Sequence, residues 1–222
     1  NAVGTGQALK MGEMGNVDVL LVHAPEAEME LVNSGVAINR QLVMHNDFVF
    51  VGPTDDPAGI KGTATSVEAL KKIADKEALF ASRGDDSGTH KMEKKLWQAA
   101  GIEPQGGWYQ ETGRGMGDTL NVASEKGGYA LTDRGTYLAQ QKNLSLDIMV
   151  EGEKALLNIY HVMEVNAEKF PDQTINSEGA QAFIEFMVSS EAQEVIDEFG
   201  VDKYGQPLFF PDAGKDENTL GQ

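Results

Sequence analysis

Residues 78–90, ALFASRGDDSGTH, indicate the fold class of this chain. The apolar run at 78–81 predicts a buried strand, the glycine-rich stretch from Arg83 predicts a turn, and the residues after Ser87 predict a helix that continues through Ala100. A strand that leads through a glycine-rich turn into a helix is the building unit of α/β folds. The stretch therefore predicts an α/β architecture with a helix N-terminus beside a strand end.

The same unit recurs on both sides of this stretch. Glycine-rich helix starts also occur at residues 113–118 and 132–135. This alternation predicts an α/β fold whose strands are mostly parallel. The predicted strands lie at 17–22, 48–51, 78–81, 129–131 and 156–165, and the predicted helices lie at 7–14, 25–31, from 66 to about 74, 88–100, 120–123, 178–188 and 190 to about 200.

Composition excludes several classes of protein. The chain has 222 residues, of which 41% are hydrophobic and 24% charged, as in a globular protein with one large or two small domains. The formal net charge of −17 opposes binding to nucleic acid or to an anionic membrane. With no cysteine, the chain has no disulfide and no thiolate chemistry, and no apolar run is long enough to span a membrane. The start at Asn1 is neither a signal peptide nor an initiator methionine, which predicts a processed or cut chain.

Motifs for catalysis, metal binding and nucleotide binding are missing. The four histidines lie in separate predicted elements, and none has the i,i+4 partner that marks a zinc helix. There is no nucleophile elbow, no phosphate-binding P-loop and no dinucleotide fingerprint. We therefore expect no cofactor, no metal site and no enzymatic activity, because the polar turns offer hydrogen-bond donors rather than bases.

The turn at residues 83–90 can bind an anion. A helix N-terminus presents unpaired N–H groups and a partial positive charge, and Gly88 allows an anion to approach them closely. Ser87 and Thr89 add hydroxyl donors, and Arg83 at the strand end adds a fork of charged donors. These four residues are the candidate ligand-binding residues of the turn.

A purely structural interpretation explains the same turn. Asp86 or Ser87 would then cap the helix, and Arg83 would pair with Asp85 or Asp86 at the surface. The turn by itself leaves both interpretations open. A second helix start at residues 4–6, Gly-Thr-Gly, favours the binding interpretation, because two such ends facing each other form a cage of donors for a small oxyanion.

Six stretches of the sequence form a specific set of motifs: VGTGQAL at 3–9, VDVLLVHAP at 17–25, NDFVFVGP at 46–53, SRGDDSGTH at 82–90, ALTDRGTY at 130–137 and EFGVDKYGQPLFFPDA at 198–213. Together they resemble one family, the tungstate-binding periplasmic component of ABC importers. The resemblance runs over nearly the whole chain, and motifs of this length in this order are specific. It implies the type II periplasmic binding-protein fold, with two α/β lobes and a ligand cleft between them.

The resemblance also implies which residues bind the ligand. Arg83 and Thr89 occupy the oxyanion-binding positions of the family motif, and Thr5 in VGTG is a weaker candidate from the other lobe. The family begins with an earlier strand and a Thr/Ser-rich turn that this sequence lacks. We therefore expect a gap in the sheet that exposes the apolar side chains of residues 17–22, so that the chain either self-associates through this edge or binds oxyanion more weakly.

The function implied is capture of tungstate, or of molybdate, in the periplasm and its delivery to a membrane permease and the partner ATPase. The lobes would comprise residues 1–46 with 157–222, and residues 47–156. One alternative is a phosphate-binding protein of the same fold, in which Asp85 or Asp86 accepts the phosphate proton. The other is the effector-sensing domain of a transcription regulator, although no helix-turn-helix precedes it and the charge opposes DNA.

Overall fold

The structure is a computed structural model, and it describes residues 1–221. It has the predicted α/β class, and no helix of the described residues is long and apolar enough to cross a membrane. The helices are α1 (Thr5–Glu13), α2 (Pro25–Asn33), α3 (Ser66–Asp75), α4 (Gly88–Ala100), α5 (Met116–Lys126), α6 (Arg134–Gln140), α7 (Ser177–Met187), α8 (Ser190–Glu198) and α9 (Val201–Tyr204). The strands are β1 (Val19–Val22), β2 (Ala37–Pro53), β3 (Phe80–Ser82), β4 (Tyr109–Glu111), β5 (Ala130–Asp133), β6 (Leu146–Val150), β7 (Leu157–Val165) and β8 (Phe210–Pro211).

The chain forms two compact units. Unit 1 comprises Asn1–Asn46 and Asn158–Leu220, and unit 2 comprises Asp47–Leu157 together with Gly221. The long strand β2 therefore begins in unit 1 and ends in unit 2, and the chain returns to unit 1 at the start of β7.

Strand pairing differs from the mostly parallel arrangement that the sequence pattern predicts. In unit 1, β1 pairs antiparallel with β7, and β8 pairs antiparallel with the first part of β2. In unit 2, the second part of β2 pairs antiparallel with β5 and with β6. Only β3 and β4, with a bridge from Phe80 to Tyr129, are parallel in the described ladders. The prediction is wrong because parallel pairing needs a crossover between the two strands, and helix α4 provides one between β3 and β4. Strand β2 instead pairs with strands that lie far along the chain and run in the opposite direction.

Unit 2 has one aromatic and aliphatic core. Phe50 of β2, Phe80 of β3 and Tyr129 beside β5 are fully buried, and helix α4 covers them with Trp97. The rings of Phe80 and Trp97 lie edge to face with centroids 5.3 Å apart. Burial of side chains of this size stabilises the unit by about 1.5–3 kcal/mol each. The core therefore fixes α4, and with it the turn that precedes α4, against the ends of the strands.

The edge strand β1 corrects one expectation about the core of unit 1. Among the described residues, its ladder partner is β7. Leu20 and Val22 are nevertheless buried, against Leu31 and Met163, while Leu21 is 37% exposed. Alternate side chains of a strand point to opposite faces, so one face packs into the core and the other faces outward. The prediction that the whole run from 17 to 22 is uncovered is therefore wrong.

Candidate functional site

The backbone of the turn after β3 is fixed by two left-handed residues. Gly84 has φ +61°, and a Cβ atom there would lie 2.7 Å from the Cβ of Glu111, so this position requires glycine. Asp86 has φ +57°, a conformation that aspartate tolerates better than most residues. The N–H of Gly84 also donates to Oγ of Ser82, at 3.3 Å. These constraints place the start of α4 directly after the end of β3.

The capping interpretation of the sequence is confirmed for Ser87. Its Oγ accepts a hydrogen bond from the N–H of His90 at 3.3 Å, which makes Ser87 the N-cap of α4. The Nδ1 atom of His90 accepts from the N–H of Asp86 at 3.0 Å, so a neutral His90 carries its proton on Nε2. Because these bonds join the turn to the first residues of α4, the turn and the helix form one rigid element.

The ion pair between Arg83 and Asp85 is also present. Nε and Nη2 of Arg83 donate to Oδ2 of Asp85 at 3.0 and 2.5 Å, and the N–H of Ser87 donates to Oδ1 at 3.2 Å. Hydrogen bonds from the hydroxyl and N–H of Ser87, and then from Arg83, lower the pKa of Asp85 to about 2. A carboxylate offers about four acceptor positions, and Arg83 and Ser87 occupy three of them with these hydrogen bonds. Asp85 is therefore ionised, and most of its acceptor positions are occupied within the turn.

Several donors of this turn have no partner among the described residues. They are the backbone N–H groups of Gly88 and Thr89, the hydroxyl of Thr89, and Nη1 of Arg83. Thr89 is only 8% exposed, and Gly88 has open space where a Cβ would stand. Donors without a protein partner are suited to receiving an acceptor from outside. The turn thus combines free donors with a carboxylate that is already engaged by Arg83 and Ser87.

A second helix start lies against this turn. The N–H of Thr112 donates to the carbonyl of Ser82, and the N–H of Gly113 donates to the carbonyl of Arg83, both at 2.9 Å. Helix α5 begins three residues later, with Gly115 as an N-cap that provides no side-chain bond. The sequence pattern predicts this helix start but does not place it beside Arg83, because the three-residue strand β4 that leads to it is too short to give a signal.

The third glycine-containing helix start is structural. Arg134 is 8% exposed and donates to Asp47 at 2.8 and 2.6 Å and to Glu151 at 2.6 Å. Burial alone would lower the pKa of Arg134, but the hydrogen bonds and charges of Asp47 and Glu151 raise it above its ordinary value. The guanidinium of Arg134 thus binds both carboxylates and stabilises the junction of β2, α6 and the segment after β6.

Thr5 lies in unit 1, at the first residue of α1. Its N-cap, Gly4, provides no side-chain bond, and the carbonyl of Gly4 accepts the N–H groups of Gln7 and Ala8. The N–H and hydroxyl of Thr5 have no partner among the described residues. This helix start therefore offers the same kinds of donor as the turn in unit 2, without a cation.

Helix α4, which follows the turn, carries a buried carboxyl group. Glu93 is 2% exposed, and its Oε1 accepts the hydroxyl of Tyr109 at 2.7 Å. Burial raises the pKa of Glu93 to about 7, although the bond from Tyr109 opposes the rise. Across residues 1–221, no three His, Asp or Glu side chains are grouped as a metal ion would require.

Comparison with known proteins identifies the family. Residues 1–191 match a family described as "PBP superfamily domain". The chain belongs to the PBP superfamily. Within the superfamily, the tungstate-binding protein TupA of Peptoclostridium acidaminophilum is 51% identical over 216 residues, which are 96% of this chain and 75% of that protein. The TupA protein of Campylobacter jejuni is 39% identical over 217 residues, 96% of this chain and 79% of that protein.

A solved structure of this superfamily supports the same conclusion. The tungstate-binding protein TupA from Desulfovibrio alaskensis G20 superposes with a TM-score of 0.86 and 48% identity, covering 96% of this chain and 86% of that one. The predicted family and binding-protein fold are thereby confirmed.

Proposed function

We propose that this PBP-superfamily chain is the substrate-binding component of an ABC importer, and that it captures tungstate or molybdate. The observation that carries the proposal is the set of unpartnered donors on the α4 turn, from Arg83, Gly88 and Thr89. Tungstate and molybdate are tetrahedral dianions without a proton at neutral pH, so donors alone satisfy every oxygen. The names of the TupA relatives support the same class of ligand.

The hydrogen bonds that Asp85 and Asp86 already make argue against the phosphate alternative. Hydrogen phosphate carries a proton and needs an acceptor in its site. Asp85 already accepts bonds from Arg83 and Ser87, and Asp86 is paired with Lys91 and Lys94 at 3.4 and 3.3 Å. The O–H group of hydrogen phosphate would therefore compete for these carboxylates with the donors that they already accept, and an O–H group buried without a partner costs about 1–3 kcal/mol.

The candidate residues take different roles in this proposal. Arg83 provides charge through Nη1, while Gly88 and Thr89 provide N–H and hydroxyl donors. The hydroxyl of Ser87 caps α4 and its N–H donates to Asp85, so Ser87 holds the turn in shape rather than donating to the anion. Thr5 is the proposed donor from unit 1, and we propose that the two units are the two lobes implied by the resemblance.

The biological setting follows from the transport role. The bound anion would be delivered in the periplasm to a membrane permease, whose partner ATPase drives import. Binding involves no bond making or breaking, so the chain would act without catalysis. The related TupA proteins bear names of binding proteins, which favours this role over the sensing domain of a transcription regulator.

Isothermal titration calorimetry of the chain with tungstate, molybdate, sulfate and phosphate tests the proposal. We expect saturable binding of tungstate or molybdate and none of phosphate at pH 7. Arg83→Gln should weaken binding by about 2–5 kcal/mol, because it removes a charge-assisted contact to a desolvated dianion. Lys71→Gln is the control, since Lys71 is exposed on α3 and the variant changes the net charge equally. Absence of binding by all four anions would refute the function, and equal affinity of Arg83→Gln and Lys71→Gln would refute the site.

A further inference from the structure

We infer that Arg114 is a second anion-binding arginine of the unit 2 site, and that it adds a positive charge that no carboxylate offsets, whereas Arg83 is paired with Asp85. The inference rests on the proposed function of that site. Arg114 precedes Gly115, the N-cap of α5, and is exposed. It has no ion pair or hydrogen bond through its guanidinium among the described residues.

The backbone holds Arg114 next to the α4 turn. The bond from the N–H of Gly113 to the carbonyl of Arg83, at 2.9 Å, joins the residue before Arg114 directly to the proposed ligand residue. The N–H of Arg114 donates to Oγ1 of Thr112 at 3.3 Å, and Oγ1 of Thr112 bonds to that of Thr119 at 2.8 Å. The start of the Arg114 side chain is therefore fixed, while the long flexible arm remains free to reach across the adjoining turn.

Charge balance explains why a second cation is needed. Asp85 neutralises Arg83, and Asp86 lies between Lys91 and Lys94, which contribute two positive charges at a solvent-exposed position. The part of the turn that carries Arg83 and the free donors is thus close to neutral. A desolvated dianion requires positive charge that is not already paired. Arg114 supplies such an unpaired positive charge. Asp118 lies in the first turn of α5, but it is exposed and is not paired with Arg114.

The position of Arg114 is unfavourable unless an anion is present. A cation beside a helix N-terminus is repelled by the positive end of the helix dipole. The free N–H groups of Met116 and Gly117 lie in the first turn of α5, and a Cβ on Gly115 would meet nothing within 4 Å. Thr89 at the adjoining α4 turn is itself nine-tenths buried, and its hydroxyl has no partner among the described residues, which independently indicates a missing acceptor there. An anion held between the two turns satisfies the hydroxyl and removes the repulsion.

Calorimetric titration of the full chain with tungstate tests this assignment. Arg114→Gln should weaken tungstate binding by about ten- to a hundredfold, as expected for loss of one charge-assisted contact. Arg114→Lys should recover part of the affinity, because it restores the charge without the planar fork of donors. Lys71→Gln is again the matched control for net charge, and it should bind like the parent chain. Without tungstate, Arg114→Gln should unfold at the same temperature as the parent or slightly higher.

The outcomes separate this inference from the proposed function. If the parent chain binds tungstate and Arg83→Gln weakens it, but Arg114→Gln binds as tightly as Lys71→Gln, then the role of Arg114 is overturned and the function stands. If the parent chain binds none of the four oxyanions, both the function and this inference are overturned. Weakened binding by Arg114→Gln with partial rescue by Arg114→Lys supports the inference.

Discussion

Replacing Glu93 by glutamine should flatten the pH dependence of the stability of unit 2. Glu93 is 2% exposed under the α4 turn, and burial raises its pKa from an ordinary 4.5 to about 7. The folded state therefore favours the protonated carboxyl group, and the unfolded state releases its proton at lower pH. The stabilising contribution is complete below about pH 4.5 and is lost as the pH rises through about 7.

The size of this effect follows from the two pKa values. The difference between 4.5 and about 7 corresponds to about 3 kcal/mol of unfolding free energy. Glutamine is neutral at every pH and can still accept the hydroxyl of Tyr109 through its Oε1 atom, as Glu93 does at 2.7 Å. The unfolding free energy of the parent chain should decline between pH 5 and 8, and the Glu93→Gln variant should thus lose most of that decline.

Urea unfolding at pH 5, 6, 7 and 8, followed by tryptophan fluorescence, measures the effect. Both tryptophans, Trp97 and Trp108, lie in unit 2, so the signal reports on the unit that contains Glu93. Glu103→Gln is the control, because Glu103 is an exposed carboxyl group just after the same helix. If the pH dependence of Glu93→Gln equals that of Glu103→Gln, burial of Glu93 does not control the titration and the argument fails.

Three further predictions concern single residues of unit 2. Thr89→Ala should weaken tungstate binding by about 1 kcal/mol in calorimetry, as for one neutral donor, and unchanged affinity would remove Thr89 from the site. Asp85→Asn should leave phosphate unbound at pH 7, as in the parent chain, because the carboxylate of Asp85 is already engaged by Arg83 and Ser87; a phosphate affinity that appears in the parent and disappears in the variant would contradict this. Tyr129→Phe should lower the unfolding free energy by about 1–3 kcal/mol, since it removes the bond to Asp56 at 2.7 Å and leaves the N–H of Ala58 unpaired, and a smaller loss in urea unfolding would show that water replaces the hydroxyl.

Elements with a strong apolar period and a clear cap were predictable from the sequence. Helix α4 begins after Ser87 and ends at Ala100, as its pattern predicts, because a cap residue and a terminal glycine bound it. Strand β6 was missed, and so was the first part of β2, where polar residues such as Arg40 and Gln41 interrupt the apolar pattern. Those strands are specified by pairing with distant strands, which the local pattern does not contain.

The candidate site was predictable in its chemistry but not in its charge balance. Glycine, serine, threonine and arginine after a strand indicate anion-binding donors, because each residue type has that chemistry wherever the turn forms. The sequence could not show which of those donors remain free, since both the ion pair and the cap were open possibilities. Nor could it show that the turn before α5 lies against Arg83, because that contact depends on the short strand β4.

The place of Asp85 shows how a strongly acidic chain could hold a dianion at the proposed site. The net charge of −17 repels anions at a distance, but screening in physiological salt confines most of that repulsion to within about 8 Å of each charge. Affinity is then decided by the groups at the site itself. Asp85 subtracts a charge there, yet it fixes two of the donor atoms of Arg83 and directs the remaining Nη1. Because Arg83 and Ser87 already occupy three of the acceptor positions of Asp85, a protonated anion would have to compete with them for its carboxylate. At the proposed site, a preference for proton-free oxyanions would thus follow from a carboxylate that is engaged by donors of the same turn.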